Sequence, residues 1–279
     1  MQRIAVTAGA LLALLGCSPG PDDDQAAGAA RQGETDPRVE EILRSVSDLL
    51  AGAQQFSFHA EIFFEELEYK EVANDGAEPE DDPEMIVTIS DHEGRADFTL
   101  SRPDKLRVSY RDDMERREFF LSGNTATMAE PHQRVYAVLA TPGTIDTSLD
   151  TLWDRAGVAP PVSDLLYEAA YDRLAPNILS SSYEGLDDVN GISCHHILLT
   201  QETMDWQLWV DAGDQALPRK IEITYRDELL QPVFVAEFGG WDFEPTVPPE
   251  MFIFDPPEGA VKVDSLKSAD ETNVQGANR

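Results

Sequence analysis

Cys194, His195 and His196 are consecutive, and Ser193 and Asp205 stand close by, so one stretch holds the residue types of a metal site and of a hydrolase. Thiolate and imidazole are both zinc ligands. A Ser–His–Asp set is the constellation of acyl transfer. The local pattern argues against either use. Gly191 to Val210 reads as two strands joined by a polar turn at Gln201-Glu202-Thr203, with Val, Ile, Leu and Trp concentrated in the arms. With the turn centred on Glu202, Cys194, His196 and Leu198 share a face with Trp206, Leu208 and Val210. His195, Ile197, Leu199, Asp205, Gln207 and Trp209 occupy the other. The first face offers no third ligand. On the second, Ser193 sits in mid-strand and lacks the G-x-S-x-G elbow that exposes a nucleophile. No catalytic residue, no metal and no cofactor is expected, and so no enzyme. Both faces of the hairpin are apolar enough to require cover.

The 279 residues carry a formal net charge of -32, and 42% of them are hydrophobic. A surface so acidic repels phosphate backbones, which argues against nucleic acid as a partner. The first sixteen residues have Arg3 followed by an apolar run, Ile4 to Leu15, too short to span a bilayer. Leu14-Leu15-Gly16-Cys17 resembles the end of a bacterial lipoprotein signal, which implies residues 1–16 removed, Cys17 lipidated and the chain tethered to a membrane. Ser18 after the Cys suits outer-membrane sorting on the periplasmic side. Residues 17–36, rich in Pro, Gly, Ala, Asp and Gln, form the tether. With Cys17 lipidated, Cys194 has no partner, and a hydrophobic core must hold the fold. Cys194 then reads as a small buried hydrophobe.

A single folded body is expected over residues 37–263, with 264–279 a disordered tail. Pro37 to Gln54 has Val39, Ile42, Leu43, Val46, Leu49 and Leu50 at helical spacing, entered through Asp36 and Pro37. From Phe56 the period becomes two, with His59 on the solvated face. Lys70 to Glu84 is an acidic loop. Strands follow at Met85–Ser90, Arg95–Ser101, Lys105–Arg111, Arg117–Leu121, Thr125–Ala129 and Val135–Leu139, the first two separated by a turn at Asp91-His92-Glu93-Gly94. Helical segments at Thr144–Ala156, Val162–Tyr167 and Tyr171–Leu174 interrupt the strands. Strands resume after Leu179 and continue through the hairpin to Arg219–Arg226 and Pro232–Phe243, with Met251–Val263 the last ordered piece.

Arg102-Pro103-Asp104-Lys105-Leu106-Arg107 with Tyr110, then Gly123 and Pro131 before Val135-Tyr136, resembles the pattern of the LolA-like outer-membrane lipoprotein carriers. The later half resembles the predicted periplasmic proteins grouped as domain of unknown function 2092. The matching residues are Pro142 to Asp146, Pro161 with Asp164-Leu165-Leu166-Tyr167, Gly191 with Cys194-His195-His196, Asp205 to Trp209, Leu217 to Lys220 and Phe252 to Ala260. The resemblance implies a mainly β, α+β fold: an incomplete antiparallel β-barrel of about ten or eleven strands with helices over its concave side. It supplies no catalytic residues.

Such a sheet and its helical cover leave room for an apolar cavity. The expected ligand is a lipid or the acyl chains of another lipoprotein, held by Phe56, Phe58, Phe64, Tyr110, Phe119, Leu149, Trp153, Leu166, Trp206 and Trp209. The alternative is a non-carrier scaffold of the cell envelope that captures a protein partner.

Overall fold

The computed structural model describes residues 36–72, 84–156 and 160–264. The leader, Cys17 and the tether up to residue 35, the centre of the acidic loop, and the tail beyond 264 lie outside the described residues.

Helix α1 (Pro37–Gly52) starts where Asp36 accepts a hydrogen bond from the Arg38 amide at 2.9 Å, with Pro in the first turn. Val39, Leu43, Val46 and Leu50, three and four residues apart, are its buried stripe. An antiparallel meander follows: β1 (Gln55–Val72), β2 (Glu84–Ser101), β3 (Lys105–Asp112), β4 (Arg116–Ser122), β5 (Thr125–Glu130) and β6 (Val135–Ala140). Then come α2 (Ile145–Ala156), a 3-10 turn at Ser163–Leu166 and the short α3 (Ala170–Leu174). A second meander runs through β7 (Ser180–Val189), β8 (Ile192–Thr200), β9 (Met204–Asp211), β10 (Pro218–Tyr225) and β11 (Val233–Asp242). Antiparallel pairing of β1 with β11 fuses the two meanders, and β12 (Val261–Val263) adds to β6 in parallel. Among the described residues the result is one open sheet of 12 strands, ordered β12-β6-β5-β4-β3-β2-β1-β11-β10-β9-β8-β7. The incomplete barrel expected from sequence is present, with β12 raising the strand number.

The sequence motif around Arg102 is a junction. The Arg102 amide donates to the Gln54 carbonyl at 2.8 Å, and its guanidinium reaches the Leu50 carbonyl at the C-terminus of α1, where positive charge is favoured. The Pro103 carbonyl accepts from the Ile145 amide at the start of α2, and the Asp104 carbonyl from Gly123 in the β4–β5 turn. One short segment thus fixes both helices to the rim of the sheet.

Three local expectations are corrected. Asp91 to Gly94 is not a turn: β2 runs unbroken from Glu84 to Ser101. Gly94 is needed because a Cβ there would lie 2.7 Å from the Tyr110 hydroxyl and 3.0 Å from the Arg111 carbonyl. Neighbouring His92 stacks on Phe64 at 5.0 Å. His59 is half-buried rather than solvated, its ring lying over Gly239 and Gly240, where any Cβ would come within 2.8 Å. In the β8–β9 hairpin, Ile197 faces Leu208 and Leu199 faces Trp206, one residue away from the expected register. The loop is the pair Glu202-Thr203, closed by the Gln201 amide donating to the Met204 carbonyl at 2.9 Å. A one-residue slip exchanges the faces of a strand, so Cys194 and His196 do not join Trp206.

The concave face carries the main core. Phe58 stacks between Phe98 at 4.5 Å and Trp241 at 4.4 Å, and α1 and α2 close over this layer with Leu43, Val46, Ile145 and Leu149. A separate small cluster of Val189, Cys194 and Trp209 covers the opposite face of the hairpin.

An apolar cavity between sheet and helices

The strands β9, β10 and β11 present Trp206, Leu208, Ile221, Ile223 and Phe238 to the concave side, as their alternation dictates. Over them lie Leu43 and Val46 of α1, Val162 and Leu165 around the 3-10 turn, and Ala170, Tyr171 and Leu174 of α3. Sheet and helices do not quite meet, and a half-enclosed cavity of about 40 Å³ remains, lined almost wholly by carbon. A water needs roughly 10–15 Å³ on this measure. The cavity therefore holds a small group, well short of the ~300–1,000 Å³ of common ligand pockets.

The helices over the cavity are held partly by contacts of two exposed arginines and by one part-buried hydrogen bond. Arg44 stacks on the Tyr171 ring at 4.0 Å, the Tyr171 amide donates to Ser47 Oγ at 3.2 Å, and Arg38 lies over Tyr183 of β7 at 4.4 Å. Exposed ion and cation–π contacts are individually weak.

Asp164 is the charged residue of the lining. It is 8% exposed, and burial pushes its carboxyl up to about 7 against the opposing pull of Arg173. Arg173 is itself bonded to Asp150 at 3.0 Å and stacked over Tyr167 at 3.9 Å. Tyr225, on the same strand as Ile223, is raised above the usual phenol range by burial, with Glu228 and Asp164 adding to the shift.

Of the residues expected at a ligand, Trp206 lines this cavity and the rest sit elsewhere. Phe56 and Phe58 belong to the filled aromatic layer, and Phe64 packs on His92. Tyr110 donates to Asp112 at 3.0 Å; Phe119, Leu149 and Leu166 are buried core, and Trp153 is half-buried on α2. Trp209 is on the far face, where its indole donates to Asp187 at 3.0 Å beneath the His196 ring at 4.3 Å. The apolar stripes of α1, β10 and β11 were legible as stripes. Their Leu, Val and Ile members make up most of the lining.

The chemistry-bearing cluster does not assemble. Cys194 is buried with its thiol towards the Ile192 carbonyl, His195 Nδ1 meets the Tyr183 hydroxyl at 3.0 Å, and His196 Nε2 meets Gln207 at 2.8 Å. His195 stands opposite Val210 while Asp205 stands opposite Thr200. Five residues along a strand separate those rungs by about 17 Å. Asp205 pairs instead with Arg226 at 3.1 Å. Among the described residues no group of three His, Cys, Asp or Glu is placed to hold a metal ion. Nor is any described helix long and apolar enough to cross a membrane.

The family described as predicted periplasmic protein (DUF2092) matches residues 39–266. No curated protein matches the chain. Among solved structures, lipoprotein LppX from Mycobacterium tuberculosis is similar with a TM-score of 0.44 and 13% identity, over 76% of this chain and 99% of its own. LprF from Mycobacterium bovis gives 0.42 and 13%, over 77% and 98%. A LolA superfamily protein from Nitrosomonas europaea gives 0.32 and 10%, over 77% and 97%.

Proposed function

The chain belongs to the predicted periplasmic protein family DUF2092, and from that premise we propose that it is an envelope lipoprotein which binds a hydrophobic ligand between its sheet and helices. The observation that carries this reading is the carbon-lined cavity bounded by Trp206, Ile221, Ile223, Leu43 and Leu174. A well-packed domain of this size seldom leaves its helical layer short of the sheet. The cavity accepts the end of a ligand, and the remainder enters as α1 and α3 move away from β9–β11. The exposed arginine contacts resist that separation little; its main cost is uncovering the buried stripe of α1, which apolar ligand surface covers in turn. The ligand is a lipid or the acyl chains of another lipoprotein. Cys17, lipidated after removal of residues 1–16, anchors the body to the membrane through residues 17–36, on the periplasmic face and by preference at the outer membrane. Mass spectrometry of organic extracts from the chain purified from its native source tests this. An amphiphile near one equivalent is expected; a lipid-free protein that also takes up no added amphiphile refutes it.

A protein-interaction role has an observation of its own. Beyond Phe64 and Gly94, β1 and β2 pair, among the described residues, only with each other, forming a two-stranded arm on which Met85, Ile86 and Ile89 are exposed. Capture of an envelope partner that Ile86→Glu abolishes, with lipid binding intact, would establish that second role.

A further inference from the structure

An open sheet edge is a pairing surface for another chain, and proteins guard such edges with short strands, bulges and charge. Among the described residues this sheet guards both of its ends. The outermost strand on one side, β12, has 3 residues. On the other side β7 carries a bulge at Gly185, φ 119°, with Glu184, Asp187 and Asp188 around it. The arm is not guarded in this way. β2 pairs with β3 only from Gly94 onward, so its edge before Gly94 has no neighbour among the described residues. Met85-Ile86-Val87-Thr88-Ile89-Ser90 on that edge holds no charge, no Pro and no Gly, in a chain of which 27% is charged, and its central members are all β-branched. Pairing with β1 sets Leu67 opposite Ile89 and Tyr69 opposite Val87, which gives the edge one apolar face.

Charge decides what pairs there. The run is bracketed in sequence by Asp81, Asp82 and Glu84 on one side and by Asp91 and Glu93 on the other. A second copy pairing antiparallel, Ile86 against Ile89, would bring Glu84 opposite Asp91, acid against acid, between bodies of net charge -32. Deepening the protein-interaction reading, on which it rests, we propose that the β2 edge takes an extended segment of a basic protein partner as an added strand. That segment has about six residues, apolar side chains on the Val87–Ile89 face, and Lys or Arg at both ends to meet the bracketing acids. Main-chain hydrogen bonds hold it, and the charges at its ends set its register.

The probe is a peptide with Lys-Lys at each end of Val-Thr-Val-Thr-Val-Thr, added to the full chain. Hydrogen exchange read by mass spectrometry should slow within Met85–Ser90 and stay unchanged in β7. A peptide N-methylated at two successive central residues, one on each of its edges, keeps the charge and the side chains. It should bind about tenfold more weakly by fluorescence anisotropy. A version with Glu in place of Lys should not bind. A lysine on each face of the edge, Ile86→Lys with Ile89→Lys, should weaken the parent peptide about tenfold, while Leu186→Lys on β7 should not. Equal binding of the parent and N-methylated peptides, or protection outside β2, overturns strand addition; capture of a partner that Ile86→Glu abolishes then still leaves the arm an interaction surface. Capture that survives Ile86→Glu as well overturns both. A dimer of the chain that Ile86→Lys dissolves assigns the edge to a second copy and overturns the basic partner.

Discussion

Replacing Asp164 by Asn should stabilise the protein, and by an amount that depends on pH. Below about 3.8 the carboxyl is protonated whether the chain is folded or not, and burial costs nothing in charge. As pH rises from there towards 7, the unfolded chain ionises while the buried carboxyl does not, so the fold loses stability until the folded group also titrates. Moving the titration from 3.8 to about 7 corresponds to a loss of about 4 kcal/mol at pH 8. At pH 5 less than about half of that has been lost. Asn is close in shape and stays neutral, so the variant escapes the loss. For a body of this length the gain amounts to a Tm higher by about 5–15 °C at pH 8, shrinking to a few degrees at pH 5. Tyr225 stays uncharged across this range because burial raises its titration, and Arg173 remains on Asp150. Thermal unfolding of both proteins by circular dichroism at pH 5, 6, 7 and 8 is the assay. A native protein more stable than Asp164→Asn at pH 8, or a difference that does not change with pH, would refute the burial of the Asp164 carboxyl at the edge of the cavity.

Gly94→Ala should cost about 1–3 kcal/mol, because its Cβ would meet both the Tyr110 hydroxyl and the Arg111 carbonyl in mid-sheet; urea unfolding reads the loss. His196→Ala should cost about 1 kcal/mol through the lost stacking on Trp209 while leaving ligand affinity within twofold, since that ring lies on the far face; a large loss of binding would overturn the face assignment. Cys194 should resist thiol reagents in the native protein and react fully in denaturant, because its thiol is buried and burial raises its titration; rapid native labelling would contradict the packing of Val189 and Trp209 over it. Ile86→Glu on the two-stranded arm should leave stability within about 0.5 kcal/mol, as for other exposed positions.

The elements were legible wherever one period dominated. The α1 stripe, its Asp36 cap and the alternation of Phe56, Phe58, Ala60 and Ile62 all read directly. The β8–β9 register did not, because both faces of that hairpin are apolar and either register buries hydrophobic residues. What selects the observed one is a two-residue loop that Arg226 holds by donating to the Gln201 and Glu202 carbonyls from a strand end more than twenty residues on. Gly94 carried the sequence signature of a turn, and only the approach of Tyr110 from β3 distinguishes it from one. The candidate site was legible least. A filled core and a cavity use the same side chains: Phe56 and Phe58 went to the filled part, where ring stacking uses their area best, while Trp206 lines the cavity and Trp209 lies on the far face. Asp164 stood out only within the family match, because its burial depends on α1 and β9–β11 closing over a 3-10 turn.

The most direct test of the central claim is contact itself. With protonated 1-octanol and deuterated solvent, isotope-edited nuclear Overhauser spectra of the labelled chain should show the ligand's methylenes against the Trp206 ring and the methyl groups of Leu43, Ile221 and Ile223. Contacts confined to exposed Met85, Ile86 and Ile89, or none at saturating ligand, would contradict a ligand site between the sheet and its helices.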